Sequence, residues 1–393
     1  MTEAPPRQRV MLVFGTRPEA IKLAPVVIQL SSAPDLEPVV AVTGQHRSML
    51  DQVLRDFQIW PDHDLNVIRP RQTLPGLTQR LLTRLDALLQ EAKPAAVVVQ
   101  GDTTTTLAAA LTAFYHRIPV VHVEAGMRTW DMGQPYPEEM NRVVTSRLTA
   151  LHLAATSQAR ANLLKEGIPP EAVIVTGNTV IDALHWTLAH HKATAPVVAE
   201  IQQSPRPLLL VTAHRRESWG KPMRQIAEAV ADIASAHPEL QVLFPVHRNP
   251  AVGEIVRPVL SGLHNVKLTA PLDYPDFAIM MQKAKLVLTD SGGVQEEAPS
   301  LGTPVLVMRD KTERPEAVLA GGARLVGTDR GTIRDSVSWL LSDSRAYAVM
   351  AKSRSPYGDG QAAARVVGAL RHLLCDGPRP SEFVAKGQRA KAR

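Results

Sequence analysis

Cysteine is nearly missing: Cys375 stands alone among 393 residues. That excludes an internal disulfide and a thiolate metal cluster, and it leaves no argument for secretion. Long apolar runs are lacking too. No stretch approaches the ~18 residues of a membrane span, and the polar N-terminus passes into a short strand without a signal-type apolar region. A cytoplasmic protein without membrane insertion is the expectation. Aromatic residues make up only 4% of the chain, and no helix presents a basic face, so nucleic acid is not expected as a partner. The net charge of +6 does not alter this, because from Gly377 to Arg393 five cations (Arg379, Lys386, Arg389, Lys391, Arg393) face a single carboxylate, Glu382. Most of the excess therefore sits on a Pro/Gly-punctuated tail, 377–393, that is expected to be disordered.

Signature motifs are also absent. There is no G-x-G-x-x-G, so a tightly bound NAD is unsupported, and no cofactor is expected. Without G-x-x-x-x-G-K-[ST], H-E-x-x-H or G-x-S-x-G, the common phosphoryl-transfer, zinc-protease and serine-hydrolase readings fall away. No metal-ligand spacing calls for an ion.

What is present is a βα rhythm in a chain that is 45% hydrophobic with a mean hydropathy of −0.07. Short apolar strands at Val10–Phe14, Val39–Thr43, Ala95–Val99 and Pro119–Val123 alternate with helical periodicity, as in a parallel sheet. Between Asn178 and Pro207 the pattern loosens, and His190-His191-Lys192 with the prolines at 196, 205 and 207 reads as a domain connection. The rhythm then restarts with strands at Leu208–Thr212, Val242–Val246, Val266–Leu268, Leu286–Thr289 and Pro304–Met308. The simplest architecture is α/β: two doubly wound Rossmann-like domains facing across a cleft. Residues 1–177 form the first domain and 178–360 the second, with 361–376 crossing back onto the first.

In such sheets ligands sit beyond the carboxyl ends of the strands, and those ends are unusually polar here. The first domain delivers Arg17 and Lys22, then Asp102 ahead of Thr103-Thr104-Thr105-Thr106, then Glu124. The second delivers His214-Arg215-Arg216, His247 and the run Thr289-Asp290-Ser291-Gly292-Gly293. In that run a strand breaks into a helix, so free amides and two glycines suit an anion such as phosphate, with Glu297 placed to accept from a ribose diol. Each feature has an ordinary alternative. Asp290 or Ser291 fits a helix cap, and so does Asp102. Glu138, Glu139 and Arg142 have the spacing of surface ion pairs. Lys22 fits a solvated helix face, and His247 fits a structural histidine. Their joint placement favours a two-domain enzyme for a phosphorylated, nucleotide-linked substrate.

Six segments go further. Phe14-Gly15-Thr16-Arg17-Pro18-Glu19-Ala20-Ile21-Lys22, Gly101 to Thr106, His122-Val123-Glu124-Ala125-Gly126, Pro137-Glu138-Glu139-Met140-Asn141-Arg142, Thr212 to Glu217 and Asp290 to Leu301 together resemble the bacterial non-hydrolysing UDP-N-acetylglucosamine 2-epimerases. The resemblance runs in order from about Val10 to Leu374. It implies a glycosyltransferase-B fold, a homodimer, and interconversion of UDP-GlcNAc and UDP-ManNAc. It assigns Arg17, Ser291, Gly292 and Gly293 to the diphosphate, Glu297 to the ribose, Leu272 and Phe277 to the uracil, and Arg314 to the nucleotide side. Asp102, Glu124, Glu138 and His214 match the catalytic group, with Lys22 beside them. Gln45, Arg71, Glu138, Arg215 and His247 match a second UDP-GlcNAc site that activates the enzyme. Two positions depart from the pattern: Ser48 stands where a second glutamine occurs in some related chains, and Gln100 replaces a histidine.

The implied route is elimination of UDP to 2-acetamidoglucal and re-addition with a proton on the other face, which requires proton-handling groups with raised pKa. Asp102 and Glu138 are the expected proton carriers, with Glu124 tuning or orienting them. The alternatives are a UDP-sugar glycosyltransferase, a hydrolysing epimerase of the same fold, or a non-catalytic UDP-sugar sensor. The carboxylates argue against the sensor, since they would repel a diphosphate without return.

Overall fold

A computed structural model describes residues 7–44, 47–69, 71–215, 218–353 and 355–385, without the side chains of residues 47 and 48. Gln45, Arg216, Glu217 and the side chain of Ser48 thus lie outside the described residues. The chain divides into two compact units, one running to Trp186 and resuming at Gly358, the other spanning Thr187–Tyr357.

The first unit contains β1 (Gln8–Phe14), α1 (Arg17–Ser31), β2 (Leu36–Val42), α2 (Arg47–Asp56), β3 (His63–Asp64), α3 (Leu74–Ala92), β4 (Ala96–Gln100), α4 (Thr104–Tyr115), β5 (Val120–Ala125), α5 (Glu138–Leu148), β6 (Leu151–Ala154), α6 (Ser157–Lys165), β7 (Val173–Val175) and most of α7 (Thr179–His190). Its sheet is parallel in the order β3-β2-β1-β4-β5-β6-β7. Strands covered on both faces are largely apolar, which explains the run Ala96-Val97-Val98-Val99 of β4. Met11, Val13, Val97 and Val99 pack under Leu81, Leu85 and Leu89 of α3.

The second unit contains α8 (Pro196–Gln203), β8 (Leu208–Thr212), α9 (Lys221–Ala236), β9 (Gln241–Pro245), α10 (Pro250–Leu260), β10 (Val266–Thr269), α11 (Tyr274–Lys283), β11 (Leu286–Thr289), α12 (Gly292–Ser300), β12 (Val305–Val307), α13 (Pro315–Leu319), β13 (Ala323–Leu325), α14 (Arg330–Ser342) and α15 (Ser344–Ala351). Its parallel sheet runs β10-β9-β8-β11-β12-β13. Leu209, Val211, Leu286 and Leu288 form its core with Ile226, Val230 and Ile233 of α9. In both sheets the strand order reverses beside the first strand, between β1 and β4 and between β8 and β11. Such reversals open a crevice at the carboxyl edge, where ligands of this fold class bind.

The last helix, α16 (Ala362–Leu374), belongs to the first unit and packs on α1. Asp182 of α7 accepts the first amides of α16, Ala362 N at 3.2 Å and Ala363 N at 2.8 Å. Burial nevertheless lifts its pKa to about 6. At the far end of α16, Arg371 forks onto Asp35 at 2.8–2.9 Å.

The segment 178–207, read as a domain connection, contains the boundary between the two units at Trp186/Thr187 and carries two helices, α7 and α8. Val180, Ile181 and Leu184 bury one face of α7. Pro196 starts α8 at its first turn, where a missing N–H costs nothing. One expectation needs correcting: over its described residues, to 385, the tail does not come loose at Gly377. Arg379 donates to the carbonyls of Glu171 and Val173 (2.7 and 2.6 Å), Glu382 pairs with Arg160 (2.9 Å), and Phe383 N donates to Val175 O (2.7 Å). This stretch thereby covers the exposed edge strand β7, which satisfies carbonyls that a disordered tail would leave open. No described helix is long and apolar enough to cross a membrane.

Candidate active site

The carboxyl edge of the first sheet is built around Glu19. Its Oε2 accepts from Gly15 N (3.0 Å) and Thr16 N (2.8 Å), which closes a capping box at the start of α1. Its Oε1 accepts from Thr103 Oγ1 (2.6 Å) and Thr106 Oγ1 (3.3 Å), so one buried carboxylate ties the β1 exit to the start of α4. Only glycine fits at position 15, because a Cβ there would lie 1.9 Å from Thr43 Oγ1. Arg17, in the first turn of α1, is half-buried and has no ion-pair partner among the described residues. One turn on, the Lys22 ammonium pairs with Glu124. Its side chain is only 15% exposed, so the solvated-face alternative fails.

Glu124 ends β5 in an uncommon conformation. Its φ is +61°, where a non-glycine residue is strained, and the β5–β6 register shifts between Val123 and Ala125. Bulges and left-handed side-chain-bearing residues of this kind re-aim side chains at functional edges. The carboxylate accepts from Gln100 Nε2 at 2.5 Å as well as from Lys22.

Asp102 follows β4 after Gly101. It does not cap α4, since Thr103 takes that role through Thr106 N at 3.2 Å. Its Oδ2 lies 2.7 Å from Arg142 Nη2. Although 29% of the side-chain surface is exposed, enclosure of the carboxyl by the sheet edge raises its pKa; Arg142 opposes that rise, and Glu124 and Glu138 add to it while Lys22 opposes. The reading of Glu139 and Arg142 as a surface ion pair is likewise wrong. Both are buried, at 1% and 6%, and the Arg142 fork spans Asp102 and Glu139. Glu139 also accepts from Thr129 N and Trp130 N (3.0 and 3.1 Å), holding the loop before α5. Lys22, Asp102, Glu124 and Glu138 thus gather at one sheet edge. Glu19, Gln100 and Arg142 were not assigned to the site from the sequence; for Glu19 the legible signal was the Thr16-x-x-Glu19 spacing. Arg71 is exposed at a left-handed turn (φ +53°) before α3 and makes no hydrogen bond or ion pair with the described residues.

In the second sheet, β11 ends at Thr289 and α12 begins at Gly292. Ser291 is the N-cap but makes no side-chain cap bond, so the first amides of α12 are not taken by it. Nor does Asp290 cap the helix. Its carboxylate reaches across to the β8 exit, accepting from His214 N (2.8 Å) and Arg215 N (2.9 Å), with His214 Nδ1 3.0 Å from the other oxygen. Burial works to raise the Asp290 pKa, but His214 and these amides outweigh it and the net shift is downward. His214 stacks on His247 with ring centroids 5.9 Å apart, while His247 Nδ1 accepts from Asn249 N at 3.2 Å. Burial and the adjacent His214 lower the pKa of His247.

Arg215 lies over the glycine turn, its Nη2 3.5 Å from where a Cβ on Gly292 would sit, and it pairs with Glu313 at 3.0 Å. Opposed by burial, Arg215 and Arg309 hold the Glu313 carboxyl down at about 2. Arg314 pairs with Glu296 of α12, and Thr312 Oγ1 donates to Gln295 Oε1 at 2.6 Å, which fixes the 309–314 loop beside the turn. Glu297 is buried and accepts from Tyr274 OH at 2.9 Å. Tyr274 opens α11, the helix that carries half-buried Phe277 and is preceded by half-buried Leu272. The second unit therefore gathers Arg215, the glycine turn, Glu297 and Arg314 around one helix N-terminus suited to an anion.

Known proteins resemble this chain over most of its length. A family model described as UDP-N-acetylglucosamine 2-epimerase matches residues 28–371. A UDP-N-acetylglucosamine 2-epimerase from Yersinia pestis is 52% identical over 370 residues, covering 93% of this chain and 98% of that one. One from Escherichia coli K12 is 50% identical with the same coverage. Among solved structures, the UDP-GlcNAc 2-epimerase of Neisseria meningitidis bound to UDP-GlcNAc is 45% identical, with a TM-score of 0.85 over 93% of this chain and 100% of that chain. A glycotransferase structure of kitacinnamycin, 15% identical with a TM-score of 0.64, shares the fold alone.

Proposed function

The chain belongs to the UDP-N-acetylglucosamine 2-epimerase family, with the glycosyltransferase-B type of fold, and from that premise we propose that it interconverts UDP-GlcNAc and UDP-ManNAc without hydrolysing either. The observation that carries this reading is the Asp102 carboxyl, raised in pKa among Glu124, Glu138, Lys22 and Arg142. The C–H of the nitrogen-bearing C2 is too weakly acidic to lose directly. It leaves when the neighbouring C1–O bond to UDP breaks, which gives 2-acetamidoglucal and UDP. Re-addition of the UDP oxygen to C1, with a proton delivered to the opposite face of C2, completes the inversion. Every atom is conserved and no redox step occurs, so no cofactor is needed.

Asp102 and Glu138 carry the protons in this scheme, and a raised carboxyl pKa suits both halves of the cycle. Lys22 and Gln100 orient Glu124. Arg17 and the amides of Ser291, Gly292 and Gly293 take the diphosphate in this scheme. His214 stabilises charge on the departing UDP. Glu297 takes the ribose, Leu272 and Phe277 the uracil, and Arg314 steadies the nucleotide side through Glu296.

The second UDP-GlcNAc site, Gln45, Arg71, Glu138, Arg215 and His247, makes the rate sigmoidal in UDP-GlcNAc. The stacking of His247 on catalytic His214 supports it. The protein acts in the cytoplasm as a homodimer, for which exposed Phe114 and Tyr115 of α4 offer an apolar surface. Incubation with UDP-GlcNAc alone tests the reaction. UDP-ManNAc as product supports the epimerase; free ManNAc with UDP identifies a hydrolysing enzyme, and turnover only with an acceptor identifies a transferase.

A further inference from the structure

Three consecutive carbonyls leave the end of β4, and a side chain from a different element holds each one. Thr106 Oγ1 of α4 donates to Gln100 O at 2.7 Å, His122 Nε2 of β5 to Gly101 O at 2.7 Å, and Asn141 Nδ2 of α5 to Asp102 O at 2.9 Å. The Gln100 side chain meanwhile donates to Glu124. Gly101 sits at φ +70°, and a Cβ there would meet nothing within 4 Å, so packing against residue 101 does not fix the turn. The side-chain donors supply the restraint that packing leaves out.

His122 is suited to this task by its protonation. A carbonyl oxygen only accepts, so the contact places the ring proton on Nε2. Its Nδ1 is buried without a hydrogen-bond partner among the described residues, and a second proton there would be stranded. Burial accordingly lowers the His122 pKa to about 4, despite the opposing effect of the Gly101 bond. The ring is a neutral donor at physiological pH. It also stands two residues before Glu124 on the same strand, so one side chain links the Asp102 turn to the strand that carries the other carboxylate.

We infer that His122, seconded by Asn141, is a positioning residue for the epimerisation, holding the Gly101–Asp102 turn so that the Asp102 carboxyl keeps its place relative to Glu124. The inference rests on the proposed function. Its test compares His122→Leu, His122→Gln and Asn141→Ala in full-length protein, by kcat, KM for UDP-GlcNAc, the kcat–pH profile and thermal melting. His122→Leu is expected to lose about 10- to 100-fold in kcat with KM within about twofold of wild type. The acid limb of the profile should move to lower pH, because a loosened Asp102 meets more water. His122→Gln, whose amide nitrogen has the reach of Nε2, should recover most of the rate and restore the limb. Should His122→Leu fail to fold, Asn141→Ala removes only the Asp102 carbonyl donor and should show the same split between kcat and KM. Full kcat in both His122→Leu and Asn141→Ala overturns the inference, as does an equal loss in His122→Leu and His122→Gln with an unmoved acid limb. A wild-type protein without epimerase activity overturns both this inference and the proposed function, whereas an active wild type with unaffected variants overturns this one alone.

Discussion

Asp102 leaves β4 beside the point where the first sheet's strand order reverses, and Asp290 leaves β11 at the matching point of the second. Each precedes a helix, and each is followed by a residue that serves as the N-cap. Their surroundings differ in kind. Asp290 is met by two backbone amides and a histidine, and its pKa falls. Asp102 is met by one guanidinium and two further carboxylates in an enclosed place, and its pKa rises. The same position in the same topology thus yields a carboxyl whose pKa is lowered in one unit and one whose pKa is raised in the other, the latter being the one proposed above to carry protons. What differs is the supply of backbone donors: the amides at the β8 exit hold the Asp290 carboxylate, whereas the Asp102 carboxyl is met by the Arg142 side chain and its carbonyl by the Asn141 side-chain amide.

The contrast is broken most severely by Asp102→Asn, which removes the titrating group while keeping the shape. Epimerisation should fall by about 10²- to 10⁴-fold, with UDP affinity unchanged by calorimetry; wild-type turnover would remove Asp102 from the proton path. Arg142→Leu comes next. It strips the buried counter-charge from Asp102 and Glu139 and should destabilise the protein by about 3–5 kcal/mol in denaturant unfolding. A loss of about 1 kcal/mol or less would restore the surface-pair reading of this arginine.

That reading failed for a physical reason. The spacing of Glu138, Glu139 and Arg142 reports only which residues share a helix turn, not that α5 lies against α4 with Arg142 turned toward Asp102. Local signals were otherwise informative. The strand into Asp-Ser-Gly-Gly into helix is visible in the residues themselves, as is the apolar rhythm of both parallel sheets. Non-local partners were not. Asp290 binds amides 75 and 76 residues upstream, and Glu19 binds hydroxyls 84 and 87 residues downstream, so nothing in either neighbourhood announces the contact. Proline misled in the opposite way. Read as a breaker at 196, it opens α8, and Pro250 opens α10 behind the N-cap Asn249.

Asp290→Asn sharpens the comparison through pH. With its folded pKa below the unfolded 3.8, the carboxylate contributes stability that is full above pH 3.8 and is lost as pH falls through the folded value. The variant should be less stable by about 1–3 kcal/mol at neutral pH, and the gap should close below about pH 4. A gap that persists there means that the charge is not what the amides hold. The smallest expected effect is Gly292→Ala. The added Cβ meets Arg215 Nη2 only at 3.5 Å, so the fold tolerates it and a better helix former adds up to about 1 kcal/mol. The methyl nonetheless occupies the anion turn and should weaken UDP binding about tenfold, about 1.4 kcal/mol. Unchanged UDP affinity would move the diphosphate away from α12.

The central claim is that acidic side chains of the first unit remove and return the C2 proton of a UDP-bound sugar. Proton NMR of UDP-GlcNAc with the protein in D2O tests it directly. The account predicts signals of UDP-ManNAc carrying deuterium at C2. UDP-ManNAc that forms with the original hydrogen still at C2 would contradict it.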